Sequence, residues 1–284
     1  MGPADQPSLP RVADHLLRRP KLDARLSEWA PITVVRGLQG YGKTTVVAAW
    51  LDSQRPIEVS ATWVTARPPN DDLQSFEDCL SQSLRNAGLA TDVAPGESPL
   101  AGFAQLRAAL LTASPDRKFV LVIDDFHHVR DKVTLAELMG LVERNRHFHL
   151  YVCCRGRHPI ESLAAGRMHV NVIEAKELLL GVEEIVGLAE AIGPPLDRPE
   201  TERLHSAVGG WIAMIRMALS RAGQEAVGHG DIEEYLLSEV LPNIGDEALV
   251  AQRMRFSLAE VVSWKLFRDL CDDPDSTCSD FSAP

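Results

Sequence analysis

Apolar positions in this chain follow two rhythms, one extended and one helical, and the alternation between them predicts most of its elements. Ile32-Thr33-Val34-Val35 is a short β-branched run that ends in a glycine-rich turn, and Thr44 to Leu51 follows directly as a helix. Val59 to Val64 is a second extended run. After the break Arg67-Pro68-Pro69-Asn70, Asp71 and Asp72 open an amphipathic helix to about Asn86, with Leu73, Phe76, Leu80 and Leu84 on one stripe and Gly88 as its stop. Thr91 to Pro99, rich in proline, glycine and acid, reads as a surface loop. A helix from Leu100 to Leu111 leads into a strand at Phe119–Ile123; a helix at Val133–Glu143 and strands at Phe148–Cys153 and Val170–Ile173 follow. Five strands alternating with helices predict an α/β fold, a parallel sheet with both faces covered. Past residue 176 the pattern is helical only: Glu177–Ile192, Pro199–Val208 after Gly193-Pro194-Pro195, a third helix with Trp211, Met214, Ile215, Ala218 and Leu219 on one face, and a fourth from Ile232 to Leu241. Upstream, residues 11–29 read as a helix whose Arg11, Arg18, Arg19, Lys21 and Arg25 form a solvated basic face.

Composition narrows the class. Of 284 residues, 45% are hydrophobic and 24% charged, the balance of a soluble globular protein. Lys and Arg against Asp and Glu give 29 − 40 = −11. Such a chain repels nucleic-acid phosphate, so no direct nucleic-acid contact is expected of it. The longest core-like stretch, Phe119 to Ile123, is far short of a membrane span, and the opening MGPADQPSLP has no secretion-signal pattern. Five cysteines without metal-ligand spacing fit a reducing cytoplasm. His127 and His128, and His147 with His149, read as solvated histidines rather than metal ligands. Cys153 and Cys154 are neighbours on a strand, so their side chains point to opposite faces, one of them into a core. Cys271 and Cys278 have no partner histidines, and no Ser-His-Asp or Cys-His set can be assembled.

One motif carries chemistry. Gly37-Leu38-Gln39-Gly40-Tyr41-Gly42-Lys43-Thr44 matches G-x-x-x-x-G-K-[ST] between a strand and a helix. A polyphosphate needs several backbone N–H donors converging on one point, and glycines let the chain curl tightly enough to supply them. The following helix turns its positive end to the same anion. Lys43 is then the counter-charge to the β- and γ-phosphates, and the Thr44 hydroxyl a ligand for Mg²⁺. Gly37, Gly40, Tyr41, Gly42, Lys43, Thr44 and Thr45 form the expected nucleotide-binding set. The run Phe119 to Ile123 carries Asp124 and Asp125 to the sheet's C-terminal edge, where ligands bind in open α/β sheets. Asp124 is placed to hold Mg²⁺ with Thr44, and Asp125 to orient an attacking water. Arg155, just after the Phe148–Cys154 strand, is a candidate contact for the γ-phosphate.

With these elements the chain resembles the nucleotide-binding module of the STAND class, signal-transduction ATPases with numerous domains, and within it the large ATP-binding regulators of the LuxR type, such as maltose-regulon activators. The resembling segments run in family order: Arg19-Pro20-Lys21-Leu22 with Leu26; Gly40 to Thr45 with Ala49-Trp50-Leu51; Trp63-Val64; Leu121 to His127; Leu150 through Arg155; Gly210-Trp211-Ile212-Ala213; and Tyr235-Leu236 with Glu239-Val240-Leu241. The resemblance implies a three-layer P-loop NTPase fold with a five-stranded sheet ordered 5-1-4-3-2, followed by a helical domain. The expected division is a lead-in at 1–17, the nucleotide-binding domain at 18–176, a helical subdomain at 177–228, and a partial winged-helix region with an acidic tail at 229–284. It further implies an ATP/ADP switch in the cytoplasm, reset by slow Mg²⁺-dependent hydrolysis, with a protein partner or self-association in the ATP state. Family members go on through a full winged-helix region to a helical-repeat sensor and a DNA-reading helix-turn-helix, none of which is expected to be complete in these 284 residues. A stand-alone ATPase or kinase with fast turnover, and a truncated regulator fragment, are the alternative readings.

Overall fold

In the computed structural model, residue 10 and residues 17–54, 59–66, 73–89, 100–113, 117–192 and 195–221 are described. The chain divides into two compact units, Met1–Leu219 and Ser220–Pro284. Most of the lead-in, the Arg67–Asn70 break with Asp71 and Asp72, the Thr91–Pro99 loop, Gly193-Pro194, the Ile232–Leu241 helix, the 229–284 region and Cys271 and Cys278 lie outside the described residues.

The β-branched runs become strands that are buried on both faces, except the edge strand β5, which is fully buried on one face only. The strands are β1 (Ile32–Arg36), β2 (Val59–Thr65), β3 (Lys118–Asp124), β4 (Phe148–Cys154) and β5 (Val170–Ile173). All their pairings are parallel, and the order is β2-β3-β4-β1-β5, the expected 5-1-4-3-2 read from the other edge. Every residue of β4, at the sheet's centre, is buried. Cys153 and Cys154 do point to opposite faces, yet both are in core, each packed in a different layer. One layer sets α3 (Leu73–Asn86), α4 (Ala101–Thr112), α5 (Lys132–Arg144) and α6 (Pro159–Ala164) against the sheet around Phe76, Phe103, Phe119 and Phe148. The other sets α1 (Pro20–Leu26), α2 (Lys43–Gln54) and α7 (Ala175–Leu178) around Trp50, Tyr151 and Leu178. Trp50 stacks on Tyr151 at 4.8 Å, and each spends its polar atom on α1 or its end: Trp50 Nε1 donates to Ser27 Oγ at 2.8 Å, the Tyr151 hydroxyl to the Leu26 carbonyl at 2.7 Å. Between α3 and α4 the buried Glu77 accepts from Phe103 N at 3.2 Å and from Gly102 N, capping α4; a Cβ on Gly102 would lie 2.7 Å from the Glu77 carbonyl, so only glycine permits this approach.

Two expectations are corrected. The basic helix expected over 11–29 is, among the described residues, only Pro20–Leu26; Pro20 sits at its first turn and fixes the start. Arg18 and Lys21 are exposed, as a solvated face requires, but Arg19 and Arg25 are engaged. Arg25 donates to the Val172 carbonyl at 2.8 Å and to Glu177 at 3.2 Å, sealing edge strand β5. Arg19 donates to the carbonyls of Leu178 at 2.7 Å, Leu179 at 2.8 Å and Glu177 at 3.2 Å, and pairs with Glu184 at 2.8 Å. That hub explains the second correction: the helix expected over Glu177–Ile192 is broken, ending at Leu178 and resuming as α8 (Val182–Ile192). Carbonyls that would continue the helix turn to Arg19 instead, and Leu180 N donates to the Gly210 carbonyl at 2.8 Å. Helices α9 (Arg198–Val208) and α10 (Ile212–Arg221) complete a small helical cluster with α8, built on Ile185, Leu188, Ile215 and Leu219.

His149, expected to be solvated, is buried, with its Nδ1 at 3.1 Å from the Ala30 carbonyl and its ring edge-on to Trp29. Burial lowers its pKa below the ordinary histidine value. The unfolded chain therefore takes up a proton near pH 6.5 while the folded chain does not. Stability from this group is complete above that pH and is lost progressively as pH falls towards the depressed folded value. His149→Asn, which keeps a donor to Ala30, should flatten the dependence of unfolding free energy on pH between 7 and 5.5, by up to about 1.4 kcal/mol per pH unit. Urea unfolding at the two pH values measures this; an unchanged slope contradicts it.

Candidate functional site

The loop between β1 and α2 is tied at both ends. Gly37 N donates to the Cys154 carbonyl at 3.1 Å, which fixes the loop's start beside the end of β4, and Tyr41 N donates to the Leu38 carbonyl at 3.4 Å. Gly40 and Gly42 take positive φ angles of 79° and 81°, the conformations that glycine accepts and other residues resist. A curl with these angles gathers backbone N–H groups into an anion-binding hollow, and the first N–H groups of α2 have no intrahelical partner of their own. At Gly37 an added Cβ would meet Leu178 and Tyr41 at 3.0 and 3.2 Å, so the loop is packed from beneath.

Two charges face each other across the site, and neither is at ease. Lys43 is 8% exposed and donates only to its own loop, from Nζ to the Leu38 carbonyl at 3.0 Å. Burial draws its pKa below the lysine range, against the pull of nearby Asp124 and Asp125. Asp124, 6% exposed at the end of β3, accepts from the Thr44 hydroxyl at 2.7 Å and from Asp125 N at 3.0 Å. Burial raises its pKa, and the Thr44 bond opposes that. A lysine short of anion and a carboxylate short of cation are both relieved by one ligand, a metal-bound polyphosphate. The residues present fit that group: Thr44 and Asp124, eighty positions apart in sequence, offer adjacent oxygens to Mg²⁺.

Asp125 follows in the left-handed conformation, φ 52°, which turns the chain out of β3 into a 3₁₀ turn at Phe126–His128. Its side chain is 42% exposed, available to a water at the sheet edge. Arg155 leaves the end of β4, near enough to Lys43 and His127 to depress the pKa of both. The structure thus brings the loop, Asp124, Asp125 and Arg155 to one edge, as the sequence predicted.

What the sequence missed lies beside the loop. A shallow cleft opens there, lined by Arg18, Arg19 and Asp23 on one wall, Tyr41, Gly42 and Thr45 on its floor, and Ile212 and Arg216 on the other wall. Its far wall is α10, which touches the loop itself. Ala213 N donates to the Gly40 carbonyl at 3.1 Å, Ile212 lies where a Cβ on Gly42 would be 3.4 Å away, and Trp211 meets Tyr41 at 5.8 Å between ring centroids. Gly210 makes this approach possible: at φ 80° an added Cβ would lie 2.5 Å from the Leu180 carbonyl. The sequence signal for this wall is Gly210-Trp211-Ile212-Ala213, recognisable there only as a family segment. Among the described residues no three His, Cys, Asp or Glu side chains form a metal cluster, and no helix is long and apolar enough to cross a membrane.

Comparison with known proteins agrees with this geometry. Residues 27–161, from the entry to β1 through α6, match the AAA domain family. The serine/threonine-protein kinase PknK of Mycobacterium tuberculosis is 26% identical over 76% of this chain and 21% of its own length, and its Mycobacterium bovis counterpart matches equally. The chain therefore spans about a fifth of the length of the curated relatives it matches. Among solved structures, a STAND protein with a tetratricopeptide repeat sensor from Pyrococcus horikoshii superposes with a TM-score of 0.57 at 19% identity, over 96% of this chain and 40% of that one. The ORC1 protein of Aeropyrum pernix, solved in complex with DNA, superposes with 0.53 at 16% identity, over 91% and 83%. At these identities the likeness establishes the fold. Residues 27–161 are thus similar to an AAA domain and carry the P-loop motif.

The strained electrostatics of the empty-handed lysine give a test. Lys43→Met removes a buried charge without a carboxylate bonded to it, so the ligand-free protein should melt within about 3 °C of the wild type or above it. Wild type in ADP at a hundredfold over its Kd should gain about 2.7 kcal/mol, and the variant essentially none. Thermal denaturation with and without ADP and Mg²⁺ decides; a ligand-free variant that melts many degrees lower contradicts the account of Lys43.

Proposed function

We propose that this chain is the ATP-binding switch module of a signal-transduction ATPase of the STAND kind, from a transcriptional-regulator-type protein. In this reading Gly37, Gly40, Tyr41, Gly42, Lys43, Thr44 and Thr45 hold the phosphates of ATP or ADP, and Thr44 and Asp124 hold Mg²⁺, which screens phosphate charge when bound. Asp125 orients the attacking water, and Arg155 contacts the γ-phosphate. The nucleoside occupies the cleft walled by Arg18 and Arg19 on one side and Ile212 and Arg216 on the other. Hydrolysis is slow and resets the switch.

The observation that carries this reading is the bond from Ala213 N to the Gly40 carbonyl, with Ile212 seated over Gly42. A phosphate-binding loop that is itself hydrogen-bonded to a helix couples its occupancy to that helix's position. Turnover alone does not require such a contact; a switch does. The LuxR-type assignment rests on Gly210-Trp211-Ile212-Ala213 and the Leu121 to His127 run. Residues 18–176 then form the nucleotide-binding domain and 177–228 a helical subdomain, with a lead-in at 1–17 and a partial winged-helix region at 229–284. The nucleotide state sets a contact with a protein partner or a second copy in the cytoplasm, and this acidic chain makes no nucleic-acid contact of its own.

Hydrolysis separates the switch from the fast enzyme, the reading that the kinase-named mycobacterial relative favours. Wild type should release phosphate from Mg·ATP at well under one turnover per second. Asp125→Asn should bind ATP normally and hydrolyse it at least about tenfold more slowly, and Arg155→Ala should weaken ATP relative to ADP. Many turnovers per second without a partner would replace the switch by an enzyme.

A further inference from the structure

His127 stands on the 3₁₀ turn between the acidic pair and α5, and both of its ring nitrogens are buried without a hydrogen-bond partner. The other buried imidazoles among the described residues are bonded. His149 meets the Ala30 carbonyl, and His158 places Nε2 at 2.9 Å from the Val129 carbonyl while its Nδ1 accepts from Ile160 N at 3.3 Å. A half-buried imidazole with both nitrogens orphaned calls for a reason, and its surroundings supply one. Its Nδ1 lies 3.9 Å from Asp125 Oδ1, and its ring is 4.0 Å from that of His128. Burial, followed by His128, Arg155, Lys43 and Arg130, lowers its pKa to about 3, so the ring is neutral at physiological pH and carries one N–H. Two of those cations, Arg155 and Lys43, are the proposed phosphate contacts.

The ring is also held in place. Phe126 is fully buried, 4.4 Å from the His158 ring, and the turn is closed by His128 N to the Asp125 carbonyl at 3.0 Å and Val129 N to the Phe126 carbonyl at 2.9 Å. His158 begins α6, whose Glu161 lies 3.6 Å from Arg36, the residue before Gly37. The turn that carries His127 is thus braced against the root of the phosphate loop.

We infer that His127 is a positioning residue for hydrolysis: its ring N–H donates to the Asp125 carboxylate in the triphosphate complex and aims the free carboxylate oxygen at the attacking water. A shift of about an ångström closes the present 3.9 Å gap to hydrogen-bond length. In the step itself the water oxygen bonds to the γ-phosphorus as the bridging P–O bond breaks. ADP leaves with that electron pair, and the water's proton passes to Asp125 and then to the released phosphate; His127 keeps its proton throughout. This rests on the switch reading above, and it assigns within that reading a residue that acts through Asp125.

The test is single-turnover hydrolysis of γ-labelled ATP by the full chain in Mg²⁺, with ADP affinity measured alongside. His127→Phe removes the orphaned nitrogens and fills the space, so its melting temperature should match or exceed the wild type, yet its hydrolysis rate should fall about tenfold with ADP affinity within twofold. His127→Asn, which keeps a donor, should recover most of the rate. Combining His127→Phe with Asp125→Asn should be no slower than Asp125→Asn alone. Wild-type hydrolysis that His127→Phe leaves unchanged overturns the inference and spares the switch, as does a rate loss that tracks a lower melting temperature and is not recovered by Asn. Wild type without any hydrolysis overturns the switch reading and this inference together.

Discussion

The hydrogen bond from Thr44 to Asp124 joins the helix after the phosphate loop to the acidic strand β3, and the rest of the site is arranged around it. It holds two oxygens side by side at the edge where β1, β3 and β4 all end. Around it sit a lysine and a carboxylate, each buried and each shifted towards its neutral form. The bonds into Asp124 from Thr44 and Asp125 N, and from Lys43 to the Leu38 carbonyl, compensate part of that desolvation, and a metal-bound phosphate ligand would complete it. The sheet order serves the same end, because placing β4 between β1 and β3 brings Cys154 and Arg155 against the loop that Gly37 opens.

A second constraint runs through Arg19 and Gly210. Arg19 collects three carbonyls at the break between α7 and α8, and Gly210 lets the start of α10 pack on Leu180. Together they hold the helical cluster so that Ile212 and Ala213 rest on the phosphate loop. The contact is small, one hydrogen bond and a few side chains.

The strands and the phosphate loop were legible in the sequence because each rests on a local reason. A β-branched run buried on both faces has one outcome, and Gly40 and Gly42 have φ angles that other residues resist. Asp124 was legible because a buried strand ending in acid is costly without a ligand. The strand order was not in the periodicity; it came from the family resemblance, and the structure agrees with it. Arg19 and Arg25 looked like an ordinary basic face because their partners lie some 150 residues away: Val172 and Glu177 for Arg25, Leu178 and Glu184 for Arg19. The α7–α8 break was hidden for the same reason, since Leu178-Leu179-Leu180 continues an apolar pattern that only Arg19 and Gly210 interrupt. His127 and His149 looked solvated because burial of a histidine depends on what packs over it, which no local pattern records.

Isothermal titration of the purified chain with ADP and with ATP, each with and without Mg²⁺, is the most direct test of a loop built to cradle a metal-bound polyphosphate. The account predicts a single site per chain of micromolar affinity or better, weakened when magnesium is withheld. Heats indistinguishable from dilution for both nucleotides in magnesium would contradict it.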